Sequence, residues 1–414
     1  MTHPVLRAAS DHHHEEPHDD IVYPQAVPFV LVHLVCIAAF WTGVTATAVS
    51  MAVVLYLVRM WALTGGYHRY FSHRSYKTSR GFQLFLALLG QTSAQRGVIW
   101  WSAVHRHHHL HSDTPEDVHS PRHMGFFHSH VGWIFTPRRY QADYSIVPDL
   151  TKYPELVWLD RHPYLPAAVL AVGTYLVGGW PGLIVGFFVS TVVLYHCVFF
   201  INSMAHVVGK QRYVTGDDSR NNWWLALITL GEGWHNNHHY YQSATAQGWR
   251  WYEIDISYYV LKALSWTGLV WDLRSPPEKV VRGEQPLGRK VIERIALQLA
   301  STFPVEGIAE QVRRSWAQKP TLEELAERMR SAGEAWEAAS EELGTRARRA
   351  REEAEARLRS LSLPHLPTRD ELSRRAEDMF GRAPSVEPVA ERARELLQEA
   401  VSSILLEQTL GRPS

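Results

Sequence analysis

Two long stretches of the chain, 21–58 and 162–209, contain no Asp, Glu, Lys or Arg. Each is too long for one core helix of a globular protein and suits two membrane spans of about 20 residues. The first breaks near 45–50 and the second at the Gly-Gly-Trp-Pro-Gly run of 178–182. The pattern predicts four spans, near 28–47, 49–66, 164–179 and 182–202. A polar segment rich in acids and histidine precedes the first apolar run, and no cleavage pattern is present, so no secretory leader is expected.

Beyond Pro276 the pattern changes. Long runs rich in Ala, Glu, Arg and Leu carry apolar residues at helical spacing among mixed charges, with breaks at 363–368 and near Pro384 and Pro388. That reads as a solvated helical appendage. The expected organisation is a disordered tail over 1–24, a membrane domain over 25–275 and a charged helical extension over 276–414. An all-soluble fold would have to bury two large apolar hairpins in its core.

Charge gives orientation. Lys plus Arg and Asp plus Glu number 42 each, so nothing global points to nucleic acid. Both hairpin tips are uncharged, whereas Arg59, Arg69, Arg74, Lys77, Arg80, Arg138, Arg139 and Lys152 flank the other ends. The positive-inside rule then puts both termini and the middle loop in the cytoplasm. Cys36 and Cys197 both lie in apolar runs and read as buried free thiols, which excludes a CxxC redox motif and a disulfide framework.

Histidine is the anomaly, with 24 in the chain. The run "VHRHHHLHSD" at 104–113 holds five. On a helix turning about 100° per residue, His105, His108 and His109 share one arc, while His107 and His111 pair on the other side. The second run, "HNNHH" at 235–239, repeats only H-x-x-H-H. The shared spacing selects His105, His108 and His109 with His235, His238 and His239. "HRYFSH" adds His68 and His73, whose i, i+5 spacing lets both reach one cluster only where a helix ends or bends. "NSMAH" adds Asn202 and His206 on one helical face. Nine histidines exceed the needs of one ion, so two metals are expected. Imidazole suits iron, copper, zinc and nickel; a redox pair at a membrane surface points to iron and O2 chemistry on lipid.

At these residues the chain resembles the membrane fatty acyl-CoA desaturases of the stearoyl-CoA (Δ9) type. "HRYFSH", "HRHHHLHSDTPEDVH", "GFFHSHVGWIF", "NSMAH" and "GEGWHNNHH" match in order and spacing, and the likeness covers roughly residues 25–275. It implies an all-α integral membrane protein: four transmembrane helices capped by a cytoplasmic, histidine-rich di-iron domain. It also implies O2-dependent insertion of a cis double bond into a saturated acyl chain, expected at Δ9 and on a CoA thioester. The implied metal ligands are His68, His73, His105, His108, His109, His206, His235, His238 and His239, with Asn202 reaching one iron through water. Gln95 and Trp101 match residues at the bend of the acyl tunnel.

Some positions depart from the family. Ala103-Val104 replace an Arg-Asp pair that contacts CoA, Val198 replaces a tunnel threonine, and Val118 replaces a proline. Arg96 and the Arg138-Arg139 pair are therefore the expected cations for the acyl carrier, since a CoA thioester brings several negative charges. Asp113, Asp117 and Glu232 are placed to orient metal-bound imidazoles. The chain has no G-x-G-x-x-G, Cys cluster or His-Pro-Gly-Gly haem pair, so two electrons per turnover must come from a separate electron-transfer protein and its reductase. The nearest rival reading is a histidine-box hydroxylase acting on lipid or alkane. A membrane metal transporter is more distant, because its ligands belong near mid-bilayer and only His33 and His196 fall within apolar runs.

Overall fold

The computed structural model describes residues 26–136, 142–317, 366–380 and 386–409. The expected tail over 1–24 and the pair Arg138-Arg139 lie outside the described residues. The chain is mostly helical and divides into two compact units, one ending at Gln285 and one from Pro286 onward.

In the first unit, helix α1 (Val27–Thr42) leads through Gly43, at φ 80°, into α2 (Ala46–Ser72). Thr45 caps α2 by accepting from Ala48 N–H at 3.1 Å, as a hydroxyl at this position does for the otherwise unpaired first turn. A two-residue strand, β1 (Lys77–Thr78), then precedes α3 (Arg80–Gln91) and α4 (Val98–His111). The long apolar α5 (Leu165–Ser203) follows. The unit closes with α6 (His235–Tyr240), α7 (Ile256–Trp266) and β2 (Val270–Trp271), which pairs antiparallel with β1, Lys77 opposite Trp271.

Among the described residues two helices, α2 and α5, are long and apolar enough to cross a membrane; α1 is a shorter apolar helix. The expected count was four spans. The difference has two sources: α1 is shorter, and α5 is not straight, Gly179 adopting φ 59°, ψ −152°. A Cβ on Gly182 would fall 2.4 Å from the carbonyl oxygen of Thr174. The two legs of α5 therefore double back and touch there, through a residue without a side chain.

The core of this unit forms where the end of α2 (Met60, Leu63, Tyr67, Phe71) meets Leu86 and Ala87 of α3 and Val98, Ile99 and Ala103 of α4. Two cations counted toward orientation do not reach the surface. Arg59 is buried and donates to Thr191 Oγ1 (2.7 Å) and Ser190 Oγ (2.5 Å). Arg69 is buried between Glu232 (3.1 Å) and Asp255 (2.9 Å). Cys36 and Cys197 are free thiols, half-buried rather than buried.

The unit runs past the compositional break at 276. The carbonyls of Val281 and Gln285 accept hydrogen bonds from the hydroxyls of Tyr213 and Tyr240, which ties that segment to the end of α6 and to Tyr213 in a loop before it. The second unit contains α8 (Arg289–Ser301), α9 (Val305–Ala317), α10 (Arg369–Phe380) and α11 (Val386–Thr409). Its core is Ile295, Leu299, Ile308, Val312, Leu372, Leu396, Leu397 and Val401.

Candidate metal centre

The nine histidines gather into two groups. His68, His73, His105, His109 and His238 form one, and His108, His206, His235 and His239 the other. Within each group the ligating atoms lie within 4.8 Å of one another. The two H-x-x-H-H boxes divide in the same way. In α4 the i, i+4 pair His105/His109 serves the five-histidine group and His108 crosses to the other. In α6 the pair His235/His239 serves the four-histidine group and His238 crosses. His107 and His111 stack on one another, centroids 4.5 Å apart, and belong to neither group.

The end of α2 explains how His68 and His73 meet. Residues 62–72 are wound as a π-helix, and His73 N–H donates to His68 O across i→i+5 at 3.2 Å. This wider winding brings an i, i+5 pair onto one face, and His73 is the residue at which the helix stops. Asn236 and Asn237, between the box histidines of α6, hold that short helix. Asn236 Oδ1 accepts from Arg212 N–H and Tyr213 N–H, and Asn237 Nδ2 donates to Glu253 and to Gln247 O.

Carboxylates fix the rings. His108 Nδ1 meets Asp117 at 3.0 Å, His206 Nδ1 meets Asp113 at 2.8 Å and His68 Nδ1 meets Glu232 at 2.5 Å. These are the three acids expected from sequence. A fourth was missed: Asp217, 2.8 Å from His239 Nδ1 and also accepting from Thr215 and Ser219 hydroxyls. It sits in the loop "TGDDSRNN", beside an Asp218 that instead pairs with Arg122. No spacing relates it to a histidine box.

A ring whose Nδ1–H donates to a carboxylate presents a lone pair at Nε2. Within each group, rings with and without a carboxylate partner turn Nε2 inward. His68 and His238, His105 and His109, and His109 and His238 have Nε2 atoms 3.0 Å apart, His73 and His105 2.8 Å, and His206 and His235 3.1 Å. Nε2 of His108 and of His239 is buried without a protein partner. Burial, reinforced by neighbouring imidazoles, pushes His73, His105, His109, His235 and His238 well below the usual histidine range, so they are neutral donors, as metal ligation requires. His206 and Asp113 behave differently: burial opposes both charges, but in the charged pair Asp113 pushes the imidazole up to about 9 and the imidazolium holds Asp113 down to about 2, so that a metal at His206 would replace a proton. The donor set fits a pair of metal ions.

A cavity opens beside both groups. Its wall includes His68, His105, His108 and His235 together with apolar Leu63, Trp101, Tyr195, Val198, Phe199 and Ile201. The expected Gln95, Arg96, Trp101 and Asn202 all line it, as do Val104 and Val198. Arg96 holds φ 70° and sets its guanidinium 5.3 Å from the Trp100 ring.

A family model described as fatty acid desaturase matches residues 39–268. The chain belongs to the fatty acid desaturase family. It is 37% identical over 255 residues to an acyl-CoA 5-desaturase of Anemone leveillei, covering 60% of this chain and 78% of that one. It is also 37% identical over 256 residues to the sn-1 stearoyl-lipid 9-desaturase of Synechocystis sp., covering 60% and 79%. To the sn-2 palmitoyl-lipid 9-desaturase of Nostoc sp. it is 38% identical over 224 residues, covering 53% and 78%. The desaturase match contains every box histidine, and membership makes the chain an oxidoreductase of lipid metabolism.

Proposed function

We propose that this desaturase binds two iron ions through its nine box histidines and inserts a cis double bond, at Δ9, into a saturated fatty acyl chain carried as a CoA thioester. The observation that carries this reading is the pair of convergent imidazole groups on the wall of an apolar cavity. Iron is preferred to zinc because desaturation is a redox reaction and zinc has no redox chemistry.

Bound iron with O2 supplies hydrogen removal from unactivated methylenes, and overall the acyl chain, O2, two electrons and two protons give the alkene and two waters. The residues of the chain supply geometry. Leu63, Trp101, Tyr195, Val198 and Phe199 form an apolar wall that grips an extended acyl segment and keeps water out. Asp113, Asp117, Asp217 and Glu232 hold four imidazoles in one orientation so that binding iron requires little rearrangement. Gln95 and Trp101 bend the acyl chain, and Asn202 lies on the wall to meet a water. Arg96, on the cavity wall, holds the carrier, and Arg138 and Arg139 are the further cations proposed from the sequence. Electrons come from a separate carrier protein and its reductase.

The same reading places four spans in the bilayer, namely α1, α2 and the two legs of α5, with both termini and the histidines on the cytoplasmic side. Residues 276–414 contain no histidine box and are dispensable for the chemistry in this reading. A second reading of the carrier, an acyl lipid in place of CoA, is favoured by Ala103-Val104 and by the lipid-linked substrates in the names of the Synechocystis and Nostoc relatives.

The test is expression in a desaturase-deficient host with gas chromatography of its fatty acids. A new cis-monoene supports the reading, whereas a hydroxylated chain would place the protein with the hydroxylases. Assay of acyl-CoA against acyl-phospholipid, with Arg96→Ala compared to the unmodified protein, separates the carriers: a raised KM for acyl-CoA alone supports the thioester.

A further inference from the structure

The two histidine groups are near-copies in how they are supplied and unlike in what surrounds them. Each takes an i, i+4 pair from one box and a single histidine from the other. Around the four-histidine group stand three buried carboxylates, Asp113, Asp117 and Asp217, each on the Nδ1 of a different ring. Arg122, whose charge reaches Asp113 and Asp217, is held bidentate by Asp218 and is cancelled there.

Around the five-histidine group, Glu232 is the one carboxylate touching a ring among the described residues. Arg69 binds it and also Asp255. Arg106 closes over the backbone carbonyls of Phe71 and Ser72, both at 2.9 Å, and shares Asp149 with Arg74. Three carboxylates (Glu232, Asp255, Asp149) thus face three guanidiniums (Arg69, Arg106, Arg74). The surroundings of this group are balanced; around the other, among the described residues, Asp113, Asp117 and Asp217 pair with imidazoles and form no ion pair with an arginine or lysine.

We propose that the two metal sites are unequal: the site of His108, His206, His235 and His239 fills first and keeps the higher oxidation state, and the site of His68, His73, His105, His109 and His238 fills second and is reduced first. This rests on the reading that both groups hold iron. A net negative charge held close in a buried site favours a cation, and favours a trivalent ion more than a divalent one. Hydrogen bonding from Nδ1 to carboxylate also makes the ring a stronger donor, and three rings of the four have it, against one of the five. The extra imidazole of the second group opposes this order of filling. It is neutral, however, so it separates the two oxidation states less than a net charge does. The order of reduction is therefore the sharper consequence.

Anaerobic titration of the metal-free, full-length protein in nanodiscs with 57Fe(II), followed by Mössbauer spectroscopy, tests this. One quadrupole doublet should grow to one equivalent and a second only beyond it. His73→Ala should leave the first doublet, and His235→Ala should remove it. After oxidation of both irons by O2, reduction with one electron per protein from dithionite should leave the ferric signal in the site that filled first. Asp217→Asn should weaken that site roughly 10- to 100-fold, the usual cost of losing such a partner, and level the order of filling in protein that still elutes as a single species. Doublets growing together in the unmodified protein, loss of the first in His73→Ala, or ferric iron in the second site would overturn the asymmetry. Uptake of two irons in the wrong order overturns only this inference; uptake of none overturns the di-iron reading as well.

Discussion

Up to Gln285 the chain buries charge, and from Pro286 on it does not. In the first unit Arg59, Arg69, Asp113, Asp117, Asp217, Glu232, Glu253 and Asp255 are all buried. In the second, every buried side chain among the described residues is apolar. A buried charge is unfavourable unless it meets an opposite charge or a metal. The first unit accordingly makes a net of specific pairs that converge on two points. The second meets the same need for a core with stripes of Leu, Ile, Val and Ala, which many sequences could supply. One region is constrained by chemistry at a site, the other by packing along helices.

The largest break in that contrast should come from His239→Ala. It removes one imidazole from the four-histidine group and leaves Asp217 without its ring. Desaturation should fall below detection by gas chromatography, bound iron should drop by about one per chain, and the thermal transition of the helical unit should not move. Retained turnover would show that the convergent nitrogens are not where the reaction occurs.

A smaller effect, of opposite kind, is expected at Leu397, which is fully buried in α11. Leu397→Ala should cost the helical unit about 2–5 kcal/mol, the usual range for opening a cavity of this size, read as a lower thermal midpoint by calorimetry. Iron content and turnover should be unchanged. A matching loss of iron would mean that the two units do not unfold separately.

The site was more legible in the sequence than the fold around it, for physical reasons. Metal ligation repeats a spacing, and H-x-x-H-H occurring twice separated His105, His108 and His109 from their neighbours without any structure. The i, i+5 step from His68 to His73 signalled an irregular helix, and a π-wound end supplies it. Asp113, Asp117 and Glu232 lie close in sequence to a box and could be guessed; Asp217 arrives by tertiary folding from a loop with no periodicity. Arg59 and Arg69 misled the count of surface cations, because composition cannot tell an arginine at a headgroup from one clamped by Ser190 and Thr191 or by two acids. The sharp reversal in α5 was visible as a cluster of turn residues, though not that Gly182 would be the point of contact.

The smallest effect should be His107→Ala, and it is informative because His107 sits between His105 and His108, two of the proposed ligands. Its ring stacks on His111 and is only half-buried. Burial, then the neighbouring His111, lowers its pKa, so at neutral pH it carries no charge that a metal or carboxylate would miss. Loss of one such contact away from the core network should cost within about 0.5 kcal/mol. Iron content should therefore stay at the level of the unmodified protein and turnover within about twofold, measured beside His105→Ala, which should lose about one iron per chain and all turnover. Equal losses in the two variants would mean that α4 is turned from the orientation described, with its other arc toward the metal. The division of the five-histidine run into three ligands and two bystanders depends on that single rotation.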